Sequence, residues 1–155
     1  MEDHQLAKKY IKYNPELKIA VCIQHKYTIL PGNEPDGRSR AVRHFQEVHE
    51  RGSVRKNALN AINEYMSTLE LVEPSQIDIP LPENGPIDGL ELYKDGGACL
   101  YPECGELSPR SKDIRTHCRL IHKSEPIEGL IWKRQAVQTI FSGSNSKYII
   151  SFFAY

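Results

Sequence analysis

Four potential metal ligands in the C-terminal part of the chain constrain its fold more than any other feature. They follow the pattern Cys99-x4-Cys104-x12-His117-x4-His122, within the stretch CLYPECGELSPRSKDIRTHCRLIH. Two thiolates on a short turn and two imidazoles near the end of one helix can occupy the corners of one tetrahedral site, which suits zinc. The spacing therefore predicts a C2H2-type zinc site, the alternative being that these residues fall at such positions by coincidence.

The residues between the two ligand pairs predict a helix with a distorted last turn. Ser108 is expected to cap this helix and Pro109 to take its first position. Five residues of ideal helix rotate the second histidine by about 140° from the first, so the helix must deviate before His122. Ile114 is expected in a small core beneath the site. Ser108 stands where such fingers carry an aromatic residue, so Leu107 is expected to fill that space.

A second pair of histidines with the same spacing lies nearer the N-terminus. It belongs to the pattern Cys22-x2-His25-x18-His44-x4-His49, in which a histidine replaces the second cysteine. These four residues predict a second zinc site, with ligating atoms within about 4 Å of one another. Its single thiolate should hold the ion less tightly than the C-terminal set. The alternative is a finger-like fold closed by apolar contacts, with His25 in solvent and no ion.

Charge is balanced over the whole chain but uneven along it. The twenty basic and twenty acidic residues cancel, so no chain-wide field attracts nucleic acid. Residues 38–57 carry six basic and two acidic residues, whereas residues 58–98 carry eight acidic residues and only Lys94. This asymmetry is compatible with one basic and one acidic face, and equally with an ordinary solvated surface.

The four cysteines predict metal ligation in a reducing, intracellular compartment rather than disulfides, because the N-terminus MEDHQLAKKY lacks an apolar signal core. No stretch is long and apolar enough to span a membrane, so no membrane partner is expected. Cys118 follows His117 but is turned about a third of the helix circumference away, and is expected to be a small buried residue. His4 is expected to be solvated.

The remaining patterns predict an α+β chain, a small zinc-stabilised domain of two C2H2-like finger units with a bracing helix and a C-terminal β-hairpin. In LKIAVCI, the residues Leu17, Ile19, Val21 and Ile23 alternate as in a half-buried strand. SRAVRHFQEVHE predicts a short helix with Val42, Phe45 and Val48 on its apolar side. SVRKNALNAINEYMSTLEL predicts an amphipathic helix capped by Ser53, with an apolar stripe of Val54, Ala58, Ala61, Ile62, Tyr65 and Leu69.

The C-terminal hairpin completes a division of the chain into five segments. RQAVQTIF and KYIISFFAY, joined by SGSNS, predict a hairpin whose second strand is apolar on both faces and so needs cover from the fingers, a partner or a following domain. The segments are a leader (1–15), a first finger-like unit with its helix (16–73), a Pro-rich connector lying along the surface (74–89), the C2H2 zinc finger (90–125) and the C-terminal hairpin (126–155).

The order of these parts resembles the fungal orsellinic acid biosynthesis cluster protein D family. The resemblance covers roughly residues 16–141 and is carried by ELKIAVCIQHKYTIL, the His44/His49 helix, IDIPLPENGPIDGLELYKDGGACLYPEC, RTHCRLIH and AVQTIF. That family has two zinc-finger-like motifs and is similar to regions attached to helicase-like and transposon-related proteins. It implies zinc-dependent recognition of nucleic acid or protein. Cys22, Cys99, Cys104 and the paired histidines match its ligand pattern, whereas His25 stands where the family has cysteine.

Two functions remain open. In the first, the chain is a zinc module that recognises DNA or RNA in the nucleus. Finger register then points Arg110, Asp113 and Thr116 at a groove with Lys112 beside them, while Arg115, Arg119 and Lys123 contact phosphate, as do Arg38, Arg40 and Arg43 of the N-terminal unit. In the second, the zinc ions only stabilise a protein-binding module, which uses the aromatic strand or the acidic half of the chain.

An enzyme is not expected. Both proposed sites are closed by four protein ligands, which leaves no coordination position for a catalytic water. The chain contains no phosphate-cradling glycine loop, nucleophile elbow or acidic metal cluster. No small-molecule substrate is therefore expected.

Overall fold

The computed structural model describes residues 2–123, 130–141 and 148–150, and it has the mixed α+β character predicted from the sequence. The described residues form two compact units. The first unit consists of residues 2–79 and Phe141. The second consists of the described residues 80–123, 130–140 and 148–150. The division falls within the stretch predicted as the connector, and each unit contains one of the two ligand sets.

The first unit is built on a three-stranded antiparallel sheet in the order β1-β2-β3. All four residues of the central strand β2 are buried, so the predicted half-exposed alternation is wrong here. Neighbouring side chains on a strand point to opposite faces, and burial of both sets means that both faces of β2 are covered. Ile23, the last residue of the predicted pattern, is exposed. The strands are β1 (Ile11–Asn14), β2 (Ile19–Cys22) and β3 (Thr28–Ile29).

Helix α3 (Lys56–Thr68) provides the apolar side of this unit's core. The predicted stripe is confirmed, since Ala58, Ile62 and Tyr65 are buried and pack in one cluster with residues of the sheet. The helix starts later than predicted. Arg55 precedes it without a side-chain cap, so Ser53 is not its cap. The N-terminal segment predicted as a leader contributes α1 (Glu2–Ala7), which packs against α3 and places the ring of His4 5.4 Å from that of Tyr65.

The histidine-bearing helix of the first unit changes its winding halfway. Ser39 caps α2 (Arg40–Arg43), accepting the backbone N–H of Val42 at 3.1 Å. The chain then continues as one π-helical turn (His44–Val48). A π turn is wider than an α turn, so it rotates the later residues away from the expected apolar side. Phe45 is buried as predicted, but Val48 is 51% exposed.

The second unit contains two small antiparallel sheets, ordered β6-β5-β7 and β4-β8-β9. Strands β8 and β9 pair in the register that the predicted hairpin requires, while its connecting residues 142–147 and its end, residues 151–155, lie outside the described residues. The strands are β4 (Leu92–Tyr93), β5 (Gly97–Cys99), β6 (Leu107–Ser108), β7 (Trp132–Arg134), β8 (Val137–Thr139) and β9 (Tyr148–Ile150).

Helix α4 (Ser111–Ile121) packs closely on strand β5. A Cβ atom on Gly97 would lie 3.1 Å from side-chain atoms of Ile114 and from Cα of Ser111, so this close approach depends on glycine. The helix begins at Ser111, two residues after Pro109, the predicted first helical position. Ser108 pairs with Gly97 in the sheet and its hydroxyl accepts the backbone N–H of Arg110 at 3.2 Å. Pairing with β5 therefore takes Ser108 and Pro109 out of the helix.

The proline-rich segment is fastened to the second unit at its end. It forms two short 3₁₀ turns, Pro74–Gln76 and Pro82–Asn84. Ile79 and Leu81 are exposed, whereas Ile87 and Leu90 are buried. The side-chain amide of the buried Gln138 accepts the backbone N–H of Ile87 at 2.7 Å and donates to the carbonyls of Ile87 and Leu90 at 2.9 and 3.3 Å. Among the described residues, no helix has the length and apolar character needed to cross a membrane.

Candidate metal centres

The four C-terminal ligand residues meet at one point. Sγ of Cys104 lies 3.2 Å from Nε2 of His117 and 3.3 Å from Nε2 of His122. The ligand atoms of Cys99, Cys104, His117 and His122 all lie within 4.8 Å of one another. A tetrahedral ion with bonds of about 2.0–2.3 Å separates its ligand atoms by about 3.3–3.8 Å. The geometry therefore allows these four residues to hold a metal ion.

Local backbone geometry brings these ligands together. Cys99 ends β5, and left-handed backbone stands on both sides of Cys104, at Glu103 before it and Gly105 after it, with φ values of 64° and 66°. On the helical side, α4 ends at Ile121 and His122 leaves helical geometry with φ −108° and ψ 19°. The predicted distortion before His122 is therefore wrong: the helix is regular to Ile121, the backbone N–H of His122 donates to the carbonyl of Cys118 at 3.1 Å as in an α-helix, and only the backbone angles of His122 itself deviate.

Aromatic residues that the spacing argument missed support this cluster. The ring of Tyr101 stacks on that of His122 with centroids 4.1 Å apart and planes 7° from parallel. Trp132 of β7 packs against the buried set of Cys99, Tyr101, Ile114 and Cys118. The sequence predicted that Leu107 would fill the space of a missing aromatic residue. In the structure, the rings of Tyr101 and Trp132 provide the aromatic packing beside the cluster. Tyr101 could have been noticed from its position between the two cysteines, but Trp132 arrives from a strand remote in the sequence.

Cys118 is buried next to the C-terminal cluster, as predicted for a small core residue. Only 2% of its surface is exposed. Its Sγ lies 3.6 Å from Sγ of Cys99 and 3.5 Å from the carbonyl oxygen of Ile131. An S–H group in this position can donate weakly to either neighbour. Cys118 therefore borders the ligand set without belonging to it.

The four N-terminal residues also converge. Sγ of Cys22 lies 3.6 Å from Nδ1 of His25 and 3.4 Å from Nε2 of His49. Nε2 of His49 is 3.2 Å from Nε2 of His44. All four ligand atoms lie within 4.8 Å of one another. This upper bound is slightly larger than the distance of about 4 Å expected from the sequence. This set also can hold a metal ion.

The two units bring their histidine pairs together with different backbone geometry. His44 opens the π-helical turn, and His49 follows its end in extended backbone with φ −76° and ψ 160°. Five residues complete little more than one π turn, which keeps both rings on one side. At the sheet, Cys22 ends β2 and Lys26 adopts a left-handed φ of 59°, turning the chain so that the backbone N–H of His25 faces Sγ of Cys22 at 3.5 Å.

Burial sets the protonation of the N-terminal ligands. It lowers the pKa of His44 to about 4, helped by the nearby His49 and His25. Burial also lowers the pKa of His49. Both rings are therefore neutral at pH 7, which is the form that binds a metal. Burial raises the pKa of Cys22 and, in the other cluster, of Cys99, so a bound ion must displace a proton from each thiol.

The predicted nucleic-acid residues of α4 lie on its exposed side. Lys112, Arg115, Thr116 and Arg119 line one shallow depression. The guanidinium of Arg115 lies over the ring of Trp132, 5.8 Å from its centroid. Arg110, just before the helix, donates through Nε to the carboxylate of Asp113 at 2.9 Å. Lys123 is exposed after the helix.

The predicted basic set of the first unit is held in ion pairs. Arg38 donates to Asp36 at 2.8 Å and to Glu47 at 3.1 Å. Arg43 pairs with Glu47 at 2.8 Å and with Glu34 at 3.0 Å, and Arg40 lies 3.9 Å from Glu34. Sequence counting missed this neutralisation, because Glu34 and Asp36 precede the basic stretch. These arginines do not form an uncompensated cationic surface.

Comparisons with known proteins agree with the resemblance noted above. The family model described as orsellinic acid/F9775 biosynthesis cluster protein D matches residues 9–123. The chain is 27% identical over 141 residues to the protein of that name from Emericella nidulans, covering 91% of this chain and 25% of that protein. The chain thus spans about a quarter of that relative's length. No solved structure matches the chain. The family match covers most of the chain, which therefore belongs to this family.

Proposed function

We propose that this member of the orsellinic acid/F9775 biosynthesis cluster protein D family is a zinc-stabilised module that recognises nucleic acid. Zinc is the ion best suited to both sets, because it accepts thiolate and imidazole ligands together in tetrahedral geometry. Each set supplies four protein ligands, so zinc would be structural, without an open position for a reacting water. The module is accordingly proposed to be a binding protein and not an enzyme.

The uncompensated charge on α4 carries the proposal for nucleic acid. Within the described residues, no carboxylate lies within ion-pair distance of Lys112, Arg115 or Arg119. Their side chains border the same depression on one helix face. Such a row can neutralise several phosphates and release their counterions, which is the main source of nonspecific affinity. The ion-paired arginines of the first unit have no part in this proposal.

The start of α4 is suited to contact base edges. The helix begins at Ser111, so finger register places Arg110 just before it and Lys112, Asp113 and Thr116 in its first two turns. Asp113 holds the guanidinium of Arg110 through the 2.9 Å contact. A guanidinium held in this way is pre-oriented to donate two hydrogen bonds to a guanine.

The test is binding of labelled single-stranded and duplex oligonucleotides by the full chain as salt is varied. We expect affinity to fall about tenfold or more between low and physiological salt, and the double charge reversal Arg115→Glu with Arg119→Glu to weaken binding to all sequences alike. Arg110→Ala should change preference between sequences. A nuclear location, checked with a fluorescent fusion, follows from this proposal.

A matched control separates the α4 surface from the effect of net charge alone. Arg51 and Arg55 are exposed residues of the first unit, with no ion pair within the described residues. Arg51→Glu with Arg55→Glu changes net charge by the same amount and should leave binding nearly unchanged. Equal losses in both double variants, or no detectable binding at low salt, would contradict the proposal.

Exposed apolar residues in the second unit favour protein binding as the second candidate. Leu120 and Ile121 on the last turn of α4 are 60% and 64% exposed, and Leu130 is 74% exposed. Exposed apolar residues that lie close together commonly mark contact sites for other proteins. The aromatic end of the chain, 151–155, which the sequence also suggested for this role, lies outside the described residues. Salt-independent capture of a protein partner that is lost in Leu120→Ser with Ile121→Ser would favour this function.

A further inference from the structure

An arginine and a tryptophan form a cation–π pair on the surface of the second unit. Trp132 of β7 is the only tryptophan in the chain. The guanidinium of Arg115 on α4 lies over its ring, 5.8 Å from the centroid. A cation within about 6 Å of an aromatic centroid is attracted to the face of the ring. This attraction restrains the guanidinium on the indole instead of leaving it free to move in solvent.

The indole ring of Trp132 is held by the core of its unit. It packs against the buried set of Cys99, Tyr101, Ile114 and Cys118, and its backbone pairs with Cys99 in the sheet. Trp132 is half-buried, so part of the residue remains accessible. Rigid aromatic side chains lose little conformational entropy when a partner packs on them. The ring and the guanidinium above it therefore form a preorganised surface.

Arg115 is open on the side away from the indole. The residue is exposed, and within the described residues its guanidinium makes no hydrogen bond and no ion pair. A guanidinium is planar, and nucleobases stack on its face as they do on an aromatic ring. With the indole on one side of this plane, the other side can receive a base.

Two further cations flank Arg115 along the helix. Lys112 lies three residues before it and Arg119 four residues after it, so all three share one helix face. With Thr116 they border a depression of about 270 Å³. A base on Arg115 therefore has a cation on each side for the phosphates of its own strand. Such phosphate contacts position a strand without reading its sequence.

We propose that Arg115 and Trp132 form a stacking platform for one unpaired base, and that the nucleic acid bound by α4 is single-stranded. In a duplex the faces of each base are covered by the neighbouring base pairs, whereas a base of a single strand can turn out and stack on a side chain. The inference rests on the proposed function, which it narrows from nucleic acid in general to single strands.

The test compares three labelled ligands of the full chain by fluorescence anisotropy. They are a DNA single strand of about eight nucleotides, the duplex of the same sequence, and an abasic strand of the same length that keeps the phosphates. We expect the single strand to bind about tenfold or more tightly than either of the others, because each stacked base contributes to affinity. The single strand should also change the emission of Trp132, whereas the abasic strand should not.

A charge-conserving variant separates stacking from attraction to phosphate. Arg115→Lys keeps the charge but removes the planar face, and should weaken binding of the base-containing strand about tenfold and that of the abasic strand much less. Arg119→Lys is the comparison. Because Arg119 is proposed to contact only phosphate, its loss should be the same for both strands. Both residues are exposed, so neither change should lower the thermal midpoint.

Failure of the platform and failure of the proposed function give different results. Duplex binding as tight as that of the single strand, or equal losses for the base-containing and abasic strands in Arg115→Lys, would overturn the platform and leave nucleic-acid binding by α4 intact. No binding of any of the three ligands at low salt would overturn both. A loss in Arg115→Lys confined to the base-containing strand, with a change in Trp132 emission in the parent chain, supports the platform.

Discussion

His25 is the residue at which the two ligand sets differ. Each set has two histidines from a helical segment and a cysteine at the end of a strand, but the turn supplies Cys104 in one unit and His25 in the other. With a divalent ion, two thiolates give a neutral centre, whereas one thiolate leaves a charge of +1. A net charge is costly in a buried site, which favours tighter binding by the C-terminal set.

Replacing His25 by cysteine should therefore strengthen the N-terminal site. His25→Cys creates the short Cys-x2-Cys knuckle common in structural zinc sites, and we expect zinc affinity to rise by about tenfold or more. His25→Ala is the opposite control and should lose this ion. Competition with a coloured chelator measures both. Equal affinity in His25→Cys and the parent chain would show that ligand charge does not limit the site.

The buried histidines predict a loss of stability in acid. The pKa of His44 is about 4 in the folded chain, against about 6.5 when unfolded. Between these values the unfolded chain binds more protons, so the free energy of unfolding of the metal-free protein must fall as pH drops from 6.5 towards 4. The difference corresponds to at most about 3 kcal/mol.

Urea denaturation of chelator-treated protein at several pH values measures this loss. His44→Asn, which removes the titrating ring, should flatten the pH dependence in this range. A free energy of unfolding that stays constant from pH 6.5 to 4 in the parent chain would contradict the predicted neutral, buried state of His44.

At the level of elements, the same five-residue spacing is accommodated in two ways. In the first unit the helix widens to a π turn from His44 to Val48, whereas α4 stays α-helical to Ile121 and only His122 departs from it. The spacing does not specify the backbone geometry by which the two rings of a pair meet. The neighbouring packing differs, since His122 stacks on Tyr101 while His44 packs edge-on against Phe45.

The attachment of the proline-rich segment to β8 depends on one amide. Gln138→Met keeps the size of the buried side chain but leaves the N–H of Ile87 and the carbonyls of Ile87 and Leu90 without this partner. We expect a loss of about 2–4 kcal/mol in the free energy of unfolding. Denaturant unfolding measures the loss. Gln76→Met, on the exposed 3₁₀ turn, is the control and should have little effect.

Each compact unit has its own sheet structure, one sheet in the first and two in the second, together with its own buried residues and ligand set. In small metal domains the free energy of ligation contributes directly to folding. Metal content and stability should therefore be divided between the units, with neither set able to replace the other.

Native mass spectrometry should find two zinc ions per chain. Cys104→Ala and Cys22→Ala should each lose one ion, and Cys104→Ala should also unfold the C-terminal unit, because its ligand energy is lost. Cys118→Ala is the matched control and should retain both ions, since Cys118 only borders the cluster. A metal-free chain with an unchanged melting curve would contradict a structural role for zinc.

Local patterns in the chain were sufficient to identify several parts of this protein. Ligand spacing selected the eight residues that the fold brings into two groups, and helical periodicity identified the buried stripe of α3. These features depend on residues close in sequence, whose geometry is set by the repeat of a helix or the reach of a turn.

Only the tertiary structure decided the features that depend on distant partners. Cover on both faces buried all of β2, and pairing with β5 drew Ser108 out of the predicted helix. Carboxylates outside the basic stretch, Glu34 and Asp36, form ion pairs with its arginines. Burial, strand pairing and ion pairing depend on which surfaces meet, and residue spacing along the chain does not contain that information.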